Sequence, residues 1–383
     1  MFTDNETLIK SNCNYKYKES KRGIKYYGSI LTISFSSKLI GGTHVGIILT
    51  SLNYYLKKYG RKIKHVSLEF ENLVPADKLS YIMIEVILYL LQKRYGIGVG
   101  ISGEVNADIN THGLYESILC EWGNKQANTD YIRLFEKKQR ITKHGLRKCV
   151  SHIDLDDISY LMSDIKSFLK CFDIREKDRS KIAKVVCELA DNACEHAQND
   201  CLVDVDVSEL YGKKGDEKGS YYSVNICVLN FSNVLLGEKV KNKILNNYSE
   251  KNDRYSALSS AYNRHKCYFD DYYTEEHFFI MSSFQDEISG RVSETETGGK
   301  GLAEIVKELE NTVDTYSCYV LSGKKGLAFK PETLEIDDEG WISFNRKRDF
   351  VFCKPEHSIL LYSDTFIPGT GYNLSLIYKK EWV

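Results

Sequence analysis

A glutamate and an asparagine four residues apart on one helix can divide the work of phosphoryl chemistry. The carboxylate takes a proton from water and the amide oxygen ligates magnesium. Residues 181 to 197, KIAKVVCELADNACEHA, carry such a pair in Glu188 and Asn192. At roughly 100° per residue, Ile182, Val186, Leu189 and Ala193 fall on one stripe, and Glu188, Asn192 and Glu195 fall on the next. The first stripe suits packing against a sheet; the second can look into a cleft. The same spacing on an exposed helix usually carries no chemistry, so the pair needs support from elsewhere in the chain.

Two further segments offer it. In TETGGKGLAEIVKEL, residues 295 to 309, Gly298, Gly299, Lys300, Gly301 and Leu302 stand at the start of an amphipathic pattern. Glycines let backbone amides approach an anion, a helix N-terminus favours negative charge, and a lysine adds a direct phosphate contact. A plain glycine-rich helix start reads the same way. The third segment, FIPGTGYNLSLIYK, residues 366 to 379, is a strand entered through Pro-Gly-Thr with Thr370 at its head; alone it is a hairpin.

Taken in order, the three segments resemble the GHKL superfamily of DNA gyrase, heat-shock chaperone, histidine kinase and mismatch-repair ATPases. The nearest likeness is to the anti-sigma-factor serine kinases, whose helix reads E-L-x-x-N-A-x-x-H-A; residues 188 to 197 here read ELADNACEHA. The resemblance covers about residues 151 to 383 and implies a Bergerat fold, an α+β two-layer sandwich that binds ATP and Mg2+. It makes Glu188 the general base, Asn192 the magnesium ligand, Gly298 to Leu302 the phosphate loop and Thr370 a residue beside adenine. Where the family carries Asp-x-Gly-x-Gly, the chain has Asn230-Phe231-Ser232-Asn233. Asn230 keeps a carbonyl acceptor for adenine but no charge, and the missing glycines alter the backbone. The charged, tyrosine-rich insertion at about 234 to 297 stands where the family keeps its ATP lid. The resemblance implies an ATPase or a protein kinase acting on serine, threonine or histidine, with a protein partner or phosphoacceptor and room for a homodimer. The alternative is a non-catalytic nucleotide-responsive scaffold.

The elements that must position these residues follow from periodicity. Residues 29–35, 65–70 and 96–102 read as strands, and 43–59 and 77–95 as helices, giving a small α/β layer domain over 1 to 150. On the run VSLEFENLVPADKLSYIMIEVILYLL it is similar in outline to a STAS-like domain, in which a loop serine is phosphorylated. The loop here, Pro75 to Ser80, lacks the usual Asp-Ser pair, so a regulatory or partner-binding module is the expectation. The GHKL-like domain then occupies 151 to 383, with helices at about 153–172 and 176–196, strands at 202–209 and 221–230, and four short strands from 312 to 378.

Composition narrows the partners. Fifty-two basic and fifty-three acidic residues leave a formal charge of −1, so no global field steers the chain to nucleic acid or an anionic membrane. The basic stretch 133 to 148, RLFEKKQRITKHGLRK, reads as a solvated linker or surface helix rather than a nucleic-acid contact, since it has no interleaved stacking rings. Without an apolar signal core or a membrane-length apolar run, the expectation is a cytoplasmic protein. The eleven cysteines form no CxxC pair, and Cys187, Cys194 and Cys201, spaced by seven, read as reduced thiols in helical packing. GVGISG at 98 to 103 fits the dinucleotide pattern only literally, because it lies within a strand and opens no helix. His196 reads as a structural histidine, and His152 has no dimerisation helices around it to make it a phosphoacceptor.

Overall fold

The computed structural model describes residues 6–12, 23–36, 39–105, 117–118, 128–154, 156–211, 220–246, 253–285, 288 and 318–380. They form a mixed α/β protein with two sheets. The chain divides into two compact units. One comprises Met1–Cys149, Asp204–Cys227 and Ser363–Phe366, and the other Val150–Val203, Val228–Tyr362 and Ile367–Val383.

The first unit starts with α1 (Glu6–Ser11), β1 (Ile24–Tyr27), β2 (Ile30–Phe35), α2 (Gly42–Tyr59), β3 (His65–Leu73), α3 (Lys78–Tyr95) and β4 (Gly98–Val105). The four strands lie in the order β1-β2-β3-β4, with β1 antiparallel to β2 and the rest parallel. Period-two alternation buries Leu31 and Ile33 of β2 and Val66, Leu68 and Phe70 of β3. Asp77 caps α3, its Oδ1 accepting the Ser80 N–H at 2.7 Å, and Gly96 at φ +62° ends it in the left-handed conformation that suits glycine. Ser80 also donates its hydroxyl to Asp77 Oδ2 at 3.0 Å and is buried, so the loop serine is part of the cap. Every residue of α3 from Lys78 to Leu91 is buried. An all-round apolar helix belongs inside, but this one carries Lys78 and Glu85 in with it.

The basic stretch, expected as a solvated linker or surface helix, is exposed at Arg133, Lys137, Lys138 and Lys143, but it is more than a linker. It folds as the end of α4 (Asn128–Phe135) and as β5 (Gln139–Ile141) and β6 (Gly145–Val150), which pair antiparallel. Arg147 and Lys148 are buried.

In the second unit, α5 (Asp156–Leu169) packs against α6 (Glu176–Ala197). Strands β7 (Cys201–Tyr211) and β8 (Tyr221–Asn230) each run on from one unit into the other. Then follow α7 (Glu238–Leu245), α8 (Asp253–His265), α9 (Glu275–Ser282), β9 (Tyr319–Ala328) and β10 (Leu360–Lys379). The second sheet has the order β5-β6-β7-β8-β10-β9. The stretches expected as separate strands near 326–330 and 358–362 are continuous with β9 and β10, because irregular register between Tyr362 and Thr370 bends β10 without ending it. Among the described residues, no helix is long and apolar enough to cross a membrane.

Two histidines lock the helices that follow β8. His265 bridges Tyr273 Oη at 2.6 Å and the Phe350 carbonyl at 2.8 Å. His277 caps its own helix through Nδ1, which accepts the Thr274 N–H at 3.3 Å, while Nε2 donates to the Leu361 carbonyl at 3.2 Å. Burial, only partly opposed by that carbonyl, drives the His277 pKa from 6.5 down to about 4. The folded state therefore excludes a proton that the unfolded chain takes up below pH 6.5. Stability from His277 is complete above that value and falls by about 2–3 kcal/mol on acidification to pH 4. Urea midpoints for wild type and His277→Gln across this range should differ in slope, wild type losing more. Parallel slopes would refute the assignment.

Candidate functional site

The site helix α6 has Glu176 and Asp178 in its first turn, where acidic groups favour the helix dipole. Ile182, Val186, Leu189 and Ala193 are all buried, as their stripe requires. Glu188 and Asn192, on the neighbouring stripe, are half-buried. Asn192 Nδ2 donates to the Glu188 carbonyl at 2.7 Å, one turn back. That bond fixes the carboxamide by its nitrogen and directs its oxygen away from the helix backbone, the end that suits a hard cation. The helix ends at Gln198, left-handed at φ +49°, a conformation that is costly without glycine.

Three distant parts of the sequence meet at Asn230, the last residue of β8. Its side chain is buried; Nδ2 donates to the Ala193 carbonyl of α6 at 2.8 Å, and Oδ1 accepts the Thr370 N–H of β10 at 2.8 Å. Around this bridge Ser232 N–H donates to Pro368 O at 3.1 Å, and Ser322 Oγ donates to Gly369 O at 2.6 Å. Gly369, at φ +99°, must be glycine. A Cβ there would lie 2.6 Å from Asn230 O and 2.8 Å from Ser232 N. The oxygen that the family resemblance assigns to adenine thus already holds a backbone N–H, with one lone pair left.

Gly298, Gly299, Lys300, Gly301 and Leu302 lie outside the described residues, as do the side chains of Glu195 and His196. Among the described residues, no group of three or more His, Cys, Asp or Glu side chains could hold a metal ion. A single amide oxygen, Asn192 Oδ1, would hold magnesium only together with oxygens from a bound phosphate. His152 pairs with Asp200 at 2.9 Å, and GVGISG lies within β4.

Sequence reasoning missed a second polar cluster, buried in the first unit. Lys78 Nζ contacts Asp204 at 2.6 Å and also Asp206 and Tyr81, while Arg147 reaches Glu85 and Asp204 at 2.5 Å each. Asn225 Nδ2 donates to Asp206 at 2.8 Å, and Tyr131 Oη donates to the Glu85 carbonyl at 2.7 Å. Burial pushes the Asp206 and Glu85 carboxyls up. Asp204 is buried too, yet Arg147 and Lys78 together hold it down, at about 2. The two cations face three carboxyls, an arrangement that binds elements together and presents no nucleophile. A signal was legible: Lys78 and Glu85 stand two turns apart on one face of an otherwise apolar helix, and Asp204 and Asp206 on one face of β7.

Two substitutions test these assignments. Asn230→Asp removes the donor to Ala193 O and buries a charge against it, so unfolding in urea should show a loss of about 2–4 kcal/mol; an unchanged midpoint would show that the bridge holds nothing. Lys78→Met, which leaves Asp206 without a cation and Asp204 with Arg147 alone, should cost about 3–5 kcal/mol. Adding Asp206→Asn should then cost less than the two single losses summed, and strict additivity would rule out the coupling. No family model matches the chain, and searches of curated proteins and of solved structures find no match either.

Proposed function

We propose that the chain is a Mg-dependent ATP-binding protein of GHKL type that hydrolyses ATP or passes its γ-phosphoryl group to a protein, and so regulates a partner. The observation that supports this reading is the bridge from Ala193 through Asn230 to Thr370. Through the end of β8, it joins the helix of Glu188 and Asn192 to the Gly-Thr strand, two of the three segments that carry the family resemblance. Glu188 holds the proton of the attacking water or hydroxyl, and Asn192 offers Oδ1 towards the phosphates. Magnesium, when bound, supplies charge neutralisation at those phosphates. Gly298, Gly299, Lys300, Gly301 and Leu302 are assigned to phosphate by resemblance, and the helical insertion before them to partner-dependent closure.

A second reading, a nucleotide-responsive scaffold without turnover, is favoured by one feature of the same bridge. Both ends of the Asn230 carboxamide are engaged with backbone, which weakens the contact available to adenine. Turnover of γ-labelled ATP decides, with wild type beside Glu188→Gln and Asn192→Ala and with both free phosphate and labelled protein followed. The catalytic reading expects magnesium-dependent turnover that falls about 100-fold or more in Glu188→Gln, on the scale of losing a general base, with ATP binding kept. Binding without turnover in wild type would establish the scaffold. Absence of both would overturn the nucleotide reading for the isolated chain.

A further inference from the structure

We propose that Cys194 and Cys201 are a redox-active pair that closes to an intramolecular disulfide by exchange with a small-molecule disulfide such as oxidised glutathione. Cys194 lies in the last turn of α6 and Cys201 opens β7. Their sulfur atoms are 3.6 Å apart, so bonding requires only a local closure. The intervening chain turns through Gln198, whose left-handed conformation at φ +49° makes this end of the helix costly to hold. Opening there is the route by which an oxidant reaches sulfurs that the folded state covers: Cys194 is 6% exposed and Cys201 is 0% exposed. A helix C-terminus does not favour a thiolate, so the exchange is slow rather than instantaneous.

The chemistry balances in two displacements. The Cys194 thiolate, its proton released to solvent, attacks one sulfur of glutathione disulfide. The S–S bond breaks and a glutathione thiolate leaves with the electron pair. The Cys201 thiolate then attacks Cys194 Sγ in the mixed disulfide and expels the second glutathione thiolate. Two protein thiols are oxidised, one glutathione disulfide is reduced to two thiols, and two protons are passed on. The bond ties the end of α6 to β7 one residue beyond Ala193, the residue whose carbonyl Asn230 holds. The proposal rests on the thiol geometry and stands whether or not the chain binds ATP.

The test exposes the full chain to glutathione disulfide at about pH 8, near the thiol pKa, then unfolds it, alkylates the remaining thiols and maps the peptides. The expected result is a Cys194–Cys201 linked peptide, reversed by dithiothreitol, with alkylation of both residues down at least about tenfold. Exposed Cys171 and Cys267 serve as internal reporters by carrying glutathione. In Cys201→Ser, Cys194 should stop at the glutathione adduct. Alkylation of Cys194 and Cys201 at full yield while Cys171 and Cys267 carry glutathione would overturn the proposal, as would pairing of Cys194 with any other cysteine. Because wild type alone gives the decisive map, a variant that fails to fold does not blur the result.

Discussion

The second unit depends on one carboxamide. Asn230 donates to a helix carbonyl and accepts from a strand N–H, and only a side chain with both functions can do so from one position. An aspartate could accept but not donate, and a leucine could do neither. The close approach also dictates the neighbour: Gly369 sits where a Cβ would meet Asn230 and Ser232 at under 3 Å. Asn230, which at the level of sequence looks like a charge missing from the pattern that the chain resembles, is in three dimensions a structural joint. The same joint grips α6 at Ala193, the residue after the half-buried Asn192.

The first unit solves a different problem. Its helix α3 is buried from Lys78 to Leu91, and a stretch with no wet face has nowhere to put a charge. Lys78 and Glu85 are carried inside and answered by Asp204, Asp206 and Arg147. Such a network adds little net stability compared with apolar packing, but breaking it is costly. Arg147 explains why the basic stretch near residue 140 misleads. Its charges look solvated as a list of residues, yet β6 is buried on both faces from Leu146 to Val150, and Arg147 is carried in with it.

The reading of elements succeeded where local physics decides. Amphipathic period placed α6 and its buried stripe, and alternation placed β2 and β3. It failed where distant chain decides. In RLFEKKQRITKHGLRK the hairpin of β5 with β6 is local, but the pairing of β6 with β7, which makes it part of a sheet, comes from residues far along the chain. The continuity of β10 through Pro368 and Gly369 is likewise a property of its neighbours, since β9 supplies the partners on either side of the irregular register.

The sequence by itself determined which residues could do chemistry, because carboxylate, amide, glycine and lysine carry their reactivity in their own atoms, and helical period puts Glu188 and Asn192 on one face wherever the helix lies. Only the tertiary structure decided what those groups have left to offer. Hydrogen bonds form between residues as far apart as Asn230 and Thr370, and a donor or acceptor satisfied by such a bond is no longer wholly available to a ligand. The 3.6 Å approach of Cys194 and Cys201 and the burial of Lys78 have the same origin, because each depends on where separate elements come to rest against one another, and composition and period do not encode that.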